Sequence, residues 1–249
     1  TVCEGARVDY SDVTAWFCQM RDEHKIDAFK IGYDRALAGY WVDEMKSNGF
    51  DMEAVAQGPF TWSQPMREMG AEIVPFSPLF DDRLPENIHG LYLGGGYPEL
   101  YAETLSGNIA MRTAVKTALN AKLPCIAECG GFMYLTEKIG DQPMAGYLRG
   151  ACWNTGKLCR FGYVHLTAKK DNMLCGAGEG IAAHEFHYWD CSETGDSFTA
   201  SKKTGKQWDC IYADDHIYAG FPHFNFYAEP KFAERFYKAC LRYREKQNA

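Results

Sequence analysis

The residues best equipped for chemistry are Ala127-Glu128-Cys129-Gly130-Gly131. An apolar run, Leu123-Pro-Cys-Ile-Ala127, leads into this cysteine, two glycines follow, and a helical pattern begins after them. A strand that turns sharply into a helix lifts the intervening side chain above the sheet, and glycines relieve the crowding of such a turn. The new helix points its positive end toward the sulfur, which favours thiolate. The amide N–H of Gly130 is placed to donate to an oxyanion. The competing reading is a buried structural cysteine in a glycine turn. A second glycine cluster, Leu93-Gly-Gly-Gly-Tyr-Pro-Glu99, also ends a predicted strand. Three successive glycines leave backbone N–H groups unshielded, so the loop can cradle an anion or an oxyanion. It lacks G-x-x-x-x-G-K-[ST] and is therefore no nucleoside triphosphate loop.

A cysteine nucleophile needs a base, most often histidine. Of the seven histidines, His223 has the most telling context. It sits in Ala219-Gly-Phe-Pro-His-Phe-Asn-Phe226, between a predicted strand and the last helix. His184 and His187 form His-Glu-Phe-His, which differs from the H-E-x-x-H zinc helix. On a strand they would face opposite ways, which argues against a shared metal. His24, His89, His165 and His216 lack such context and read as structural or surface residues. No metal site is expected.

The elements that would position these groups alternate strand and helix. Short strands are predicted over 28–33, 71–76, 88–93 and 123–127, with helices over 63–69, 101–120 (broken near Gly107) and after Gly131, carrying Phe132, Leu135 and Ile139. Such alternation predicts an α/β fold, doubly wound around a largely parallel sheet. After Met144 the pattern changes to strands over 160–168, 180–188, 197–201 and 217–221, an added mixed or antiparallel section. A final helix begins at Pro230 with Phe232, Phe236, Tyr237, Cys240 and Leu241 on one stripe. Residues 9–20 read as a separate short helix, 21–25 as a polar linker, and 26–249 as the main domain. Residues 37–59 read as an insertion, with a helix over 40–46 and a turn at Asn48-Gly49.

The 249 residues carry a formal charge of −7, with 46% hydrophobic and 24% charged residues. This suits an ordinary globular protein and provides no basic footprint for nucleic acid. No apolar run approaches the roughly 20 residues of a membrane span. No charged start with an apolar stretch marks a secretory signal, so the ten cysteines are expected as reduced thiols in the cytoplasm.

Taken together, residues 72–79, 91–103, 127–135, 160–164 and 184–188 and the His223 segment resemble, in order, the C-terminal glutamine amidotransferase domain of cobyrinate a,c-diamide synthase and its relatives. The resemblance runs from about Lys30 to the end. It implies the class I-like, triad-type amidotransferase fold. It implies that Cys129 attacks the glutamine amide to form a thioester and that His223 shuttles protons. Gly95, Gly96, Tyr97 and Gly130 would form the oxyanion and glutamine site, and Glu128, Glu185 and His184 would play supporting parts. Released ammonia would pass to an ATP-activated carboxylate on a tetrapyrrole acceptor. ATP and magnesium belong to a synthetase half that this sequence does not contain, so a partner domain or subunit is expected. The chain itself needs no cofactor on this reading. Many class I amidotransferases place a glutamate two residues after the histidine. Here Asn225 stands in that place, so a Cys–His dyad is expected. Two alternatives stand beside this one: a catalytically silent docking or tetrapyrrole-binding module, and another cysteine hydrolase on the same scaffold.

Overall fold

The computed structural model describes residues 10–26, 28, 31–34, 39–55 and 64–248. The chain separates into two compact units, Thr1–Ser63 and Gln64–Ala249. In the first, α1 (Tyr10–Asp22), β1 (Ile31–Asp34), α2 (Gly39–Ser47) and β2 (Met52–Val55) follow in order, and β1 pairs with β2 in parallel. Among the described residues, its buried apolar cluster is Ile31, Val42, Met45, Phe50 and Met52. The helix expected over 40–46 and the turn at Asn48-Gly49 are both present, with Gly49 at φ 85°. α1 runs on through Arg21 and Asp22, two residues read as linker. The units divide at residues 63/64, whereas the polar stretch 21–25 suggested a division at 25/26.

The second unit begins with α3 (Gln64–Glu68) and reaches its first strand at β3 (Leu91–Leu93). Residues 71–76, expected as a strand, form no ladder. Pro75 lacks the N–H that a ladder would use, and Val74 is half exposed. A 3₁₀ turn (Pro98–Tyr101), α4 (Ala102–Gly107) and α5 (Ile109–Asn120) follow. The helix predicted over 101–120 thus breaks where expected, because Asn108 caps α5 by accepting from the N–H of Met111 at 3.2 Å. Met111, Val115 and Leu119 recur four apart and are fully buried.

β4 (Cys125–Glu128) lies in the middle of a four-stranded sheet and is buried along its whole length. α6 (Gly130–Leu135) follows it. Ile139, expected on this helix, instead belongs to β5 (Lys138–Ile139), which pairs with β6 (Gln142–Pro143) and β7 (Ala151–Asn154). Next come β8 (Arg160–Ala168), β9 (Gly180–His187), β10 (Trp189–Cys191), β11 (Phe198–Ser201), β12 (Gln207–Cys210), β13 (Tyr212–Ala213), β14 (Ile217–Gly220), β15 (His223–Phe224) and α7 (Pro230–Gln247). In the first sheet, of order β13-β14-β4-β3, β14, β4 and β3 run parallel and β13 antiparallel. The added section is an antiparallel sheet, β12-β11-β8-β9-β15, together with the mixed sheet β10-β7-β5-β6. One apolar cluster joins β3 and β4 to α5 and α6. Another joins Ile126 and Tyr218 to β8, β9, β11 and the Phe232 and Phe236 stripe of α7.

Candidate active site

Three parallel strands end at one level. Leu93 of β3 and Ala219 of β14 both stand opposite Ala127 of β4, and Gly220 stands opposite Glu128. The chain leaving β3 is the triple-glycine loop, the chain leaving β4 is Cys129, and the chain leaving β14 reaches His223 three residues after Gly220. Parallel pairing therefore delivers all three sequence features to the carboxyl edge of one sheet, where the ligand crevice of such sheets lies.

Cys129 has φ 49° and ψ −103°, a conformation that L-residues seldom adopt. Its neighbours hold it there. The N–H of Cys129 donates to the carbonyl of Gly220 at 2.8 Å, and its carbonyl accepts from Met133 at 2.9 Å. The N–H of Gly131 donates to Gly94 at 3.1 Å. A Cβ at Gly130 would stand 2.9 Å from the nitrogen of Gly96, and one at Gly95 would stand 2.5 Å from Cε1 of His223. Glycine is thus required at 95 and 130 by close approach, and the backbones of Gly96 and Gly130 lie side by side. Among the described residues, neither of their N–H groups enters a turn or loop hydrogen bond.

The His223 ring lies close enough to Cys129 for the sulfur to act on its titration, and its Nδ1 lies 3.5 Å from Oε2 of Glu128. Burial works to lower the imidazole's pKa, but hydrogen bonds and charge from Cys129 and Glu128 outweigh it and raise it to about 10. Glu128 is almost fully buried. It accepts from the phenol of Tyr92 at 2.7 Å and from the N–H of Phe224 at 3.1 Å. Asn225 is occupied elsewhere, its Oδ1 accepting from the N–H of Tyr227 at 2.9 Å.

The remaining expected residues are dispersed. His184 stands directly across the ladder from His223, its ring against Tyr163 and Phe161, and burial and the charge of His223 lower its pKa. His187 faces the other way and stacks on Phe221 at 4.0 Å. Glu185 is also on the inner face of β9, fully buried, with Nη1 of Arg160 at 4.0 Å. Burial raises its pKa to about 7, against the pull of Arg160. Tyr97 is 65% exposed at the start of the 3₁₀ turn. His216 is buried against Asp214 and Tyr147. Sequence reasoning missed Tyr92, and it looked for a carboxylate beyond the histidine when one stands beside the cysteine. Glu128 was conspicuous by adjacency, but only the ladder shows which way it points.

The sequence profile of the CobB/CobQ-like glutamine amidotransferase domain matches residues 60–231. A cobyrinate a,c-diamide synthase of Caldanaerobacter subterraneus subsp. tengcongensis is 42% identical over 185 residues, covering 70% of this chain and 40% of that protein. One from Clostridium tetani is 35% identical over 219 residues, covering 84% of this chain and 46% of that protein. The chain thus spans less than half the length of these curated relatives. A crystal structure described as a glutamine amidotransferase superposes with a TM-score of 0.51 at 15% identity, covering 74% of this chain and 95% of that one, which speaks to fold alone.

Proposed function

The chain belongs to the CobB/CobQ-like glutamine amidotransferase domain family, and on that footing we propose that it hydrolyses glutamine to glutamate and ammonia through a thioester on Cys129. The thiolate attacks the side-chain amide carbon, and the carbonyl electrons move onto oxygen. The N–H groups of Gly95, Gly96 and Gly130 stabilise that oxyanion. The imidazolium of His223 gives its proton to the departing nitrogen, the C–N bond breaks, and ammonia leaves. Water then gives a proton to His223 while its oxygen attacks the thioester, and glutamate departs as the thiolate re-forms. The observation that carries this reading is the convergence of His223 and the triple-glycine loop on Cys129 at a strained strand-to-helix turn.

The ammonia passes to a synthetase domain or subunit that uses ATP and magnesium to activate a carboxylate of a cobyrinate-type tetrapyrrole. Support for this comes from the cobyrinate a,c-diamide synthases, which are more than twice as long as the matched region. A silent docking module would not require a positive-φ cysteine, a paired histidine and two close-packed glycine backbones together. Cys129→Ser is expected to abolish glutamine hydrolysis and labelling by a glutamine-like electrophile while the thermal midpoint stays in place. Retained hydrolysis would remove Cys129 from the reaction. A competing peptide substrate consumed at Cys129 in preference to glutamine would favour another cysteine hydrolase.

A further inference from the structure

Glu128 immediately precedes the nucleophile, so strand alternation turns it away from Cys129's own direction. The residue is 3% exposed, and a buried carboxylate is costly without hydrogen-bond donors. Two of the three groups around it belong to the segment that carries the base: the N–H of Phe224 at 3.1 Å and Nδ1 of His223 at 3.5 Å. The third, the phenol of Tyr92 at 2.7 Å, secures the carboxylate from β3. The 3.5 Å separation is long for a hydrogen bond, as is common before substrate tightens a site. With Nδ1 turned to the carboxylate, Nε2 remains for the sulfur. Asn225, which stands where a carboxylate was sought, is held by its own turn.

The geometry points to Glu128 as the positioning residue of this site: it fixes the His223 ring with its Nδ1 proton toward the carboxylate and stabilises the imidazolium that forms during turnover. The constellation is then Cys129–His223–Glu128, with the third member supplied by the strand that carries the nucleophile rather than by the segment after the histidine. The catalytic part of this inference rests on the proposed glutamine hydrolysis.

Glu128→Gln keeps the size and the acceptor for Phe224 but removes the charge. It is expected to lower kcat for glutamine hydrolysis by about 10²–10⁴-fold, the scale seen when a histidine loses its carboxylate orienter. KM should stay within about threefold, since the carboxylate acts through His223 rather than on substrate. The His223 pKa, followed by ¹⁵N NMR, should fall, and the alkaline limb of the pH–rate profile, where the imidazolium is lost, should move down with it. An unchanged pKa and pH profile overturn the assignment and leave Glu128 a structural staple. A measurement without any Glu128 variant uses Cys129→Ala, whose neutral imidazole should carry its proton on Nδ1; an Nε2–H tautomer overturns the inference. Both NMR readings are independent of turnover. Wild-type protein that fails to hydrolyse glutamine would sink the proposed reaction while the tautomer still decides what Glu128 does to His223.

Discussion

A cysteine at φ 49° is strained, and the strain persists because Gly220, Met133 and Gly94 all bond to the turn around it. The same crowding makes Gly95 a sensitive position. An alanine methyl there would fall 2.5 Å from Cε1 of His223. The ring must yield, and displacement of about 1 Å can cost about 100-fold in rate. Gly95→Ala is therefore expected to reduce kcat by about 10–100-fold, with a thermal midpoint within about 2 °C of wild type. Steady-state kinetics beside a melting curve check this. A variant that turns over normally would mean the imidazole has more room than the backbone of Gly95 suggests.

At the scale of elements, α5 shows how a polar residue fastens a helix to the loop before it. Asn108 caps α5, and its amide donates to the carbonyls of Pro78 at 2.9 Å and Asp81 at 2.7 Å. Loss of a helix cap costs roughly 0.5–2 kcal/mol, and two loop carbonyls lose their partner as well. Asn108→Ala is expected to destabilise the protein by about 2 kcal/mol, or about 4–8 °C in Tm for a unit of this size. Glutamine kinetics should be unaltered, because the cap lies outside the Cys129 site. A Tm unchanged within error would show that water satisfies the helix end equally well.

At the scale of the whole molecule, the antiparallel section encloses a carboxylate that the fold keeps nearly dry. The Glu185 side chain is 1% exposed, and its pKa is pushed up to about 7 by burial, with Arg160 pulling the other way. The folded value lies above the unfolded one of about 4.3. Favourable protonation is therefore fully available below the unfolded pKa and is lost as pH rises toward 7. The loss amounts to about 4 kcal/mol at most. Glu185→Gln should thus gain stability relative to wild type between pH 4.5 and pH 8, read by urea unfolding at both values. A difference that does not vary with pH would mean that Arg160 keeps Glu185 ionised at both.

Much of the site was legible because its chemistry is local. A cysteine before two glycines, three glycines after an apolar strand, and a histidine before the last helix each declare themselves by composition, and the α5 and α7 stripes follow from a period of 3.6. Strand limits and strand failures were less legible, since 71–76 has strand composition but no partner and Ile139 suits helix or strand until β7 is in place. By itself the sequence singled out the candidate groups and determined the kind of scaffold. Tertiary structure decided which of them meet: parallel pairing of β3, β4 and β14 sets Gly95 against His223, and His223 beside Cys129. It also turned Glu128 toward Nδ1 while Asn225 folded back on Tyr227. Hydrogen bonds and close approach depend on distance in space, and residues 96 positions apart in the chain have no distance until the ladders set it.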